Sequence, residues 1–481
     1  MNILYKKVAQ LMIVLACISA AGCKKFVEVD LPIDSVPTEV AFDSEIKIAS
    51  AVRALYLNLV RTTNFGLGGA MSVGPGVSSD EMFSNNPTAT YNEFSINAVS
   101  PQNTALSYYW NALYNTIYLS NLAIINVPKS DAIGDKAKTQ YVAEARFVRA
   151  ISYFYLVNLF GDLPLALTDD YRVNARLPRA ASAAVYQVVV DDLKFAAENL
   201  GVAYPGATTA LPRIRANRFA AKALLSRVYL YLGDWANAEA QATEVVEAKD
   251  AAGATFYTLE NNLNNAFLLS SKEVILHLLQ GGTLLYTWEA YAFVPASATT
   301  VPTYQFTEAF IDQFPKVAPL DQRRTSWIYT STITAAGQTK TYYSPYKYKL
   351  RAGTGTAKTE ALAFMRLSEV LLTRAEARAE LNKTGLAIAD LDAVRRRAGL
   401  TLATPAATPQ TQLLGLIARE RAVELFAEMG HRWFDLKRRG QADLVLKDKP
   451  NWRPEAKLLP IPVSELKTNL SLHQNPGYTD R

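Results

Sequence analysis

Apolar residues recur at helical spacing along most of the chain. Residues 45–60 place Ile48, Val52, Leu55 and Leu59 on one face, the repeat of an amphipathic helix. Residues 105–127 and 137–160 read as an antiparallel helix pair around a polar turn at Pro128 and Gly134, the second stopping at Gly161 with Pro164 beyond. Residues 182–200 carry a stripe of Val185, Val189, Leu193, Ala196 and Leu200, with Ser182 as the expected cap and Gly201 as terminator. Further pairs span 216–232 with 235–249 and 363–381 with 384–398. A long helix over 411–429 is expected to end at Gly430, followed by a short one through Trp433.

Two of these pairs share a pattern. Ala220 to Leu225, Tyr229, Gly233, Trp235, Ala238 and Ala242 match Glu369 to Leu372, Ala375, Ala377, Gly385, Ala387 and Leu391 in the placing of small residues where helices cross. That pattern is similar to the tetratricopeptide unit of about 34 residues. The two units are separated in sequence, so a simple solenoid is not expected.

The helical period fails in two places. Residues 61–104 are rich in Gly, Ser, Asn and Pro, and residues 254–362 in Thr, Gly, Pro and aromatics. Irregular segments of this length usually carry function or are disordered. Lys347 to Arg351 alternates like a short strand. The expected architecture is dominated by α-helix: a paired-helix scaffold with a long irregular, partly β insertion.

The N-terminus sets the compartment. Lys6 and Lys7 precede an apolar stretch from Leu11 to Ala21, too short for a bilayer span of roughly 20 residues. Ala20, Ala21 and Gly22 then lead into Cys23. This resembles a bacterial lipobox, with Ala20 where Leu is usual. Cys17 is a rival acceptor, but it lies inside the apolar stretch and would leave a hydrophobic tail, so Cys23 is the expected lipidation site. Residues 1–22 are thus an expected signal peptide, and 23–45 a lipidated tether. Cleavage lowers the formal net charge of +6 by its two lysines. The small remainder makes no case for nucleic acid.

Catalytic templates find little support. The three histidines, at 277, 431 and 473, are too far apart for a metal-binding helix. Ala70 to Gly74 lacks the strand and helix that frame a nucleophile elbow, and Ala352 to Thr359 lacks two glycines of a phosphate loop. Asp191-Asp192 reads as a solvated helix face. A glycosidase pair of carboxylates remains open in sequence terms, but no catalytic residue, metal site or cofactor is expected.

The C-terminal third is specific. Glu420-Arg421, Glu424-Leu425-Phe426 and Gly430 to Arg438 (GHRWFDLKR) precede Leu459-Pro460-Ile461-Pro462 and Gln474 to Tyr478 (QNPGY). Upstream stand Arg149-Ala150, Tyr153 to Leu156, and Leu159 to Leu165 (LFGDLPL). Read as chemistry, Arg421 pairs with Glu424 and Glu428 with Arg432 along a helix, Trp433 and Phe434 form a buried wedge, and the Leu-Pro-Ile-Pro run packs extended on the scaffold. In this order the motifs strongly resemble the SusD/RagB family of surface nutrient-binding lipoproteins, over essentially residues 23–481. The resemblance implies a single domain over 46–481 and no catalysis. It further implies a lid role: capture of oligosaccharide, or sometimes peptide, and delivery to a SusC-like TonB-dependent transporter barrel in the outer membrane, with the protein lipid-anchored and exposed at the cell surface. An exported helical glycoside hydrolase and a lipid-anchored scaffold for protein partners are the competing classes.

Sugar faces stack on aromatic rings, and sugar hydroxyls need polar partners. Eight tyrosines lie between Tyr286 and Tyr348, with Trp288 and Trp327 among them. The expected ligand platform is therefore Tyr286, Trp288, Tyr291, Trp327 and Tyr329, with Asp80, Asn85, Asn86 and Tyr91 from the earlier excursion. These positions follow from expected exposure, not from alignment to the family's site. Trp110 and Tyr114 lean to the core.

Overall fold

The computed structural model describes residues 41–60, 67–250, 252–401 and 403–479. Cys17, Cys23, the expected signal segment and most of the tether lie outside them. Among the described residues no helix is long and apolar enough to cross a membrane.

The scaffold is helical, and most of its long helices pack on a sequence neighbour. We label α1 (Glu45–Leu59), α2 (Ala70–Ser78), α3 (Thr104–Asn126), α4 (Asp135–Phe160), α5 (Ser182–Asn199), α6 (Arg218–Leu232) and α7 (Trp235–Val246). After the insertion come α8 (Trp288–Phe293), α9 (Leu367–Glu380), α10 (Thr384–Arg397), α11 (Gln410–Glu424) and α12 (His431–Arg438). Helix α3 packs on α4, α4 on α5, α5 on α6, and α6 on α7. Helix α7 then packs directly on α9, which pairs with α10. The two tetratricopeptide-like pairs are therefore neighbours in space, although the insertion separates them in sequence. A strand pair makes this possible: Val274–Leu278 (β2) runs antiparallel to Leu362–Arg366 (β6) and pinches the base of the insertion shut. All ten strand residues are buried.

Local ends follow the chemistry of caps. Asn103 and Asn217 accept backbone amides at the starts of α3 and α6, and Gly233 ends α6 in the left-handed conformation. Ser182 is not an accepting cap: its amide and hydroxyl both donate to Asp162.

Several expectations are corrected. The excursion after residue 60 contains helix α2, buried along its whole length despite Pro75. The strand expected at Lys347 to Arg351 is displaced upstream into a hairpin of Ile328–Ala335 (β4) and Gln338–Pro345 (β5). Lys347 is instead buried, donating to the carbonyls of Glu424 and Phe426 and to Glu428. Helix α11 ends at Glu424 rather than Gly430, because Lys347 takes carbonyls that would otherwise continue the helix and Ala427 and Met429 adopt positive φ. Gly430 has φ +73°, and a Cβ there would fall 2.9 Å from both Phe434 and Pro75, so glycine lets α12 close on α2.

The expected helix-surface ion pairs are also replaced. Arg421 pairs with Asp435 at 2.8 Å, and Glu424 with Arg323, Arg366 and Arg397. Asp192 is buried and takes a two-pronged bond from Arg149, while Asp191 stays exposed. Trp433, Phe434 and Trp110 are buried as expected, and Leu459 and Asn475 tie the Leu-Pro-Ile-Pro run to the end of α4.

Candidate functional site

Two irregular segments meet to form a cleft. Strand Met82–Ser84 (β1) pairs antiparallel with Tyr304–Phe306 (β3), in register from Met82 opposite Phe306 to Ser84 opposite Tyr304. The Asn85 amide extends this contact to the Thr303 carbonyl at 2.7 Å. Thr307 donates to the Asp80 carbonyl, and the Gly69 amide to Glu289 at 2.7 Å. The excursion and the insertion, far apart in sequence, are thereby stitched into one wall.

The cleft between them has a volume of about 420 Å³, within the usual range for small-ligand sites. Tyr91, Tyr108, Trp288, Tyr291, Phe293 and Tyr304 supply its aromatic rings. Gly69 to Val73 at the start of α2 forms one side, residues 292–304 another, and Arg351 stands at the edge. Trp288 and Tyr291 are three apart on α8 and so share a face; the helix starts where Thr287 accepts the Ala290 amide. Their rings meet edge-on at 5.6 Å, and Tyr286 completes the group, stacked on Tyr291 at 5.8 Å. Gly69, at φ +68°, brings backbone against Trp288: a Cβ there would lie 2.7 Å from the Trp288 Cβ. Tyr291 is 47 % exposed, leaving ring surface for a ligand.

Behind the cleft, Glu289 is buried, and burial raises its carboxyl's pKa against the opposing pull of the Gly69 amide. Burial likewise pushes Tyr304 up to about 12, so its hydroxyl keeps its proton.

Tyr91, Trp288 and Tyr291 therefore line the cleft, with Tyr286 packed against them. The other expected positions do not. Trp327 is fully buried, its indole N–H donating to the Leu263 carbonyl at 2.9 Å, and Lys347, Arg397 and Arg366 lie over its ring. It is a core residue and has no free face for a sugar. Tyr329 packs edge-on to Tyr346 on the β4–β5 hairpin, away from the cleft. Asp80 is held by Arg432 through two 2.7 Å bonds. The Asn86 side chain accepts from the Thr88 amide and hydroxyl, and the Asn85 side chain is exposed outside the lining. Sequence reasoning missed Tyr108, Tyr304 and Arg351. Only the aromatic density of the insertion pointed toward Tyr304; nothing in the sequence distinguished Arg351 from other arginines.

Among the described residues no group of His, Cys, Asp or Glu side chains is placed to hold a metal ion. No Asp or Glu lines the cleft among those residues.

A stacked helical scaffold carrying an aromatic cleft on irregular segments defines a class of binding protein, and comparison with known proteins gives the family. The SusD family model matches residues 312–478, and a model described as starch-binding, associating with outer membrane, matches residues 25–230. SusD-like protein P25 of Formosa agariphila is 27% identical over 96% of this chain and 97% of its own length. A SusD superfamily protein from Bacteroides vulgatus superposes with a TM-score of 0.78 at 21% identity, covering 91% of this chain and 100% of its own. A laminarin-binding SusD-like protein superposes with a TM-score of 0.71 at 25% identity, again over 91% and 100%. The chain belongs to the SusD/RagB family.

Proposed function

We propose that this protein binds an oligosaccharide in the aromatic cleft and, lipid-anchored through Cys23 at the outer membrane, delivers it to a TonB-dependent transporter of the SusC kind. The observation that carries the reading is the Tyr286–Trp288–Tyr291 ring cluster on the wall of a 420 Å³ cleft. Such rings supply apolar faces for pyranose stacking, each adding on the order of 1 kcal/mol if it behaves as an aromatic pair. The laminarin-binding relative and the starch-binding description of the family model support a glycan as the ligand. The role is binding without turnover, in keeping with a lining that carries no carboxylate pair for glycosidic acid–base chemistry among the described residues.

The test is a binding screen of the purified protein against neutral and acidic oligosaccharides, with Trp288→Ala beside it and product analysis after long incubation. Saturable binding that Trp288→Ala weakens, with no product, supports the reading. Binding untouched by Trp288→Ala overturns the platform, and turnover overturns the non-enzymatic role. Co-purification of a barrel from the native membrane supports the transporter partner; its absence under mild detergent argues against it.

A further inference from the structure

Among the described residues, Arg351 is the one charged side chain in the cleft's lining. Its Nε donates to the Val294 carbonyl at 2.8 Å, and its guanidinium carbon lies 5.0 Å from the centre of the Tyr291 ring. These two contacts fix the plane of the fork. Among the described residues they are its polar and ring partners, and no carboxylate pairs with it. Nε is thus used for positioning, while Nη1 and Nη2 are left to face a ligand. The guanidinium is half-buried beside the aromatic wall, where charge is screened less than at an open surface.

The rest of the lining is neutral among the described residues. A guanidinium has donors and no acceptor, whereas the threonine and tyrosine hydroxyls of the lining both give and take. Among the described residues no Asp, Glu, Asn or Gln side chain lines the cleft. The hydroxyls can serve either partner, while the fork can only donate. An anionic group, which only accepts, matches the fork, and among the described residues no carboxylate of the lining competes for it.

Resting on the glycan reading above, we infer that the cleft selects an anionic oligosaccharide, with a carboxylate or sulfate ester seated on the Arg351 fork while an adjoining sugar ring stacks on Tyr291 or Trp288. Planar, two-pronged recognition of such oxyanions is what a guanidinium does and an ammonium does not. Carboxylate and sulfate are two sources of the same chemistry, and the probes separate them.

The full-length protein is titrated with three probes: oligogalacturonate for carboxylate, a carrageenan oligosaccharide for sulfate, and a laminarin oligosaccharide as a neutral control. At least one anionic probe is expected to bind tenfold or more tightly than the neutral one, and to weaken as sodium chloride rises from 50 to 500 mM while the neutral probe does not, in the direction set by screening. Arg351→Gln is expected to weaken the anionic probe about tenfold more than the neutral one. Arg351→Lys, which keeps the charge and loses the fork, is expected to fall between. The salt series on the unmodified protein needs no variant, so a poorly folded substitution does not obscure the result. If the neutral probe binds as well as both anionic ones, or Arg351→Gln weakens all alike, the charge selection is overturned and the glycan reading stands. If no probe binds, the selection is overturned together with the broader reading.

Discussion

Trp288 and Trp327 come from the same irregular insertion and have opposite environments. Around Trp327 the protein is buried and charged. Arg323, Arg366 and Arg397 converge on Glu424, and Lys347 joins them at Glu428. Burial alone would raise the Glu424 pKa, but Arg397, Arg366 and Arg323 hold the carboxyl well below its usual range. Around Trp288 the wall is aromatic and open, and among the described residues its one cation, Arg351, has no carboxylate partner. Cations in the first region are matched by carboxylates; the cation in the second meets a carbonyl and a ring but no carboxylate of the described chain. The first arrangement holds a fold, and the second leaves bonding capacity for something else.

The largest effect is expected from Glu424→Gln. Removing one member of a buried ionic cluster strands its partners, and costs about 3–5 kcal/mol. Urea denaturation checks this; a loss below about 1 kcal/mol would mean the cluster relaxes onto its other carboxylates. Trp327→Ala is expected to cost a similar amount, about 3–5 kcal/mol, from the cavity it leaves. Its glycan affinity, measured well below the unfolding transition, should stay within about twofold.

Trp288→Ala is the mirror case. We expect at least a tenfold loss of glycan affinity, about 1.4 kcal/mol, with a smaller loss of stability than Trp327→Ala. If the two tryptophans lose stability equally and neither changes binding, the contrast fails.

A pH-dependent effect concerns Glu81, whose Oε1 accepts the Ala427 amide at 3.1 Å beside the positive-φ turn. Burial pushes its carboxyl up to about 8, against the pull of that amide. From about pH 4.5 to 8 the folded protein keeps a proton that the unfolded chain has released, so this group's contribution falls as pH rises, by at most about 1.4 kcal/mol per pH unit. The unmodified protein should therefore lose thermal stability relative to Glu81→Gln between pH 5 and 8. Parallel melting curves would show that the buried group is ionised throughout. The smallest effects belong to Tyr329→Ala and Asn86→Ala, each expected to leave glycan binding within about twofold; a larger change would extend the site beyond the cleft.

Much of the scaffold was legible in the sequence. Helical period, caps and the small residues at crossings depend on neighbours three or four positions away, which the sequence displays directly. The wedge at Trp433 and Phe434 and the ordered C-terminal motifs were equally visible. Half of the candidate site was visible as well. Tyr286, Trp288 and Tyr291 are close in sequence, so a ring cluster on and just before one short helix was within reach of local reasoning. Trp327 was not. Whether an aromatic in an irregular segment faces solvent or core depends on what packs over it, here Phe267, Phe426 and three cations from distant segments.

By itself the sequence determined the helix pairs, the family and the region where rings gather, because each is written in short-range spacing or in an ordered set of motifs. The tertiary structure alone decided that α7 meets α9 across the pinch of β2 and β6, that Arg421 takes Asp435 rather than Glu424, and that β1 and β3 close a wall with Arg351 at its edge. A charge pairs with whichever opposite charge the fold brings within about 4 Å, and no periodicity along the chain records which one that is.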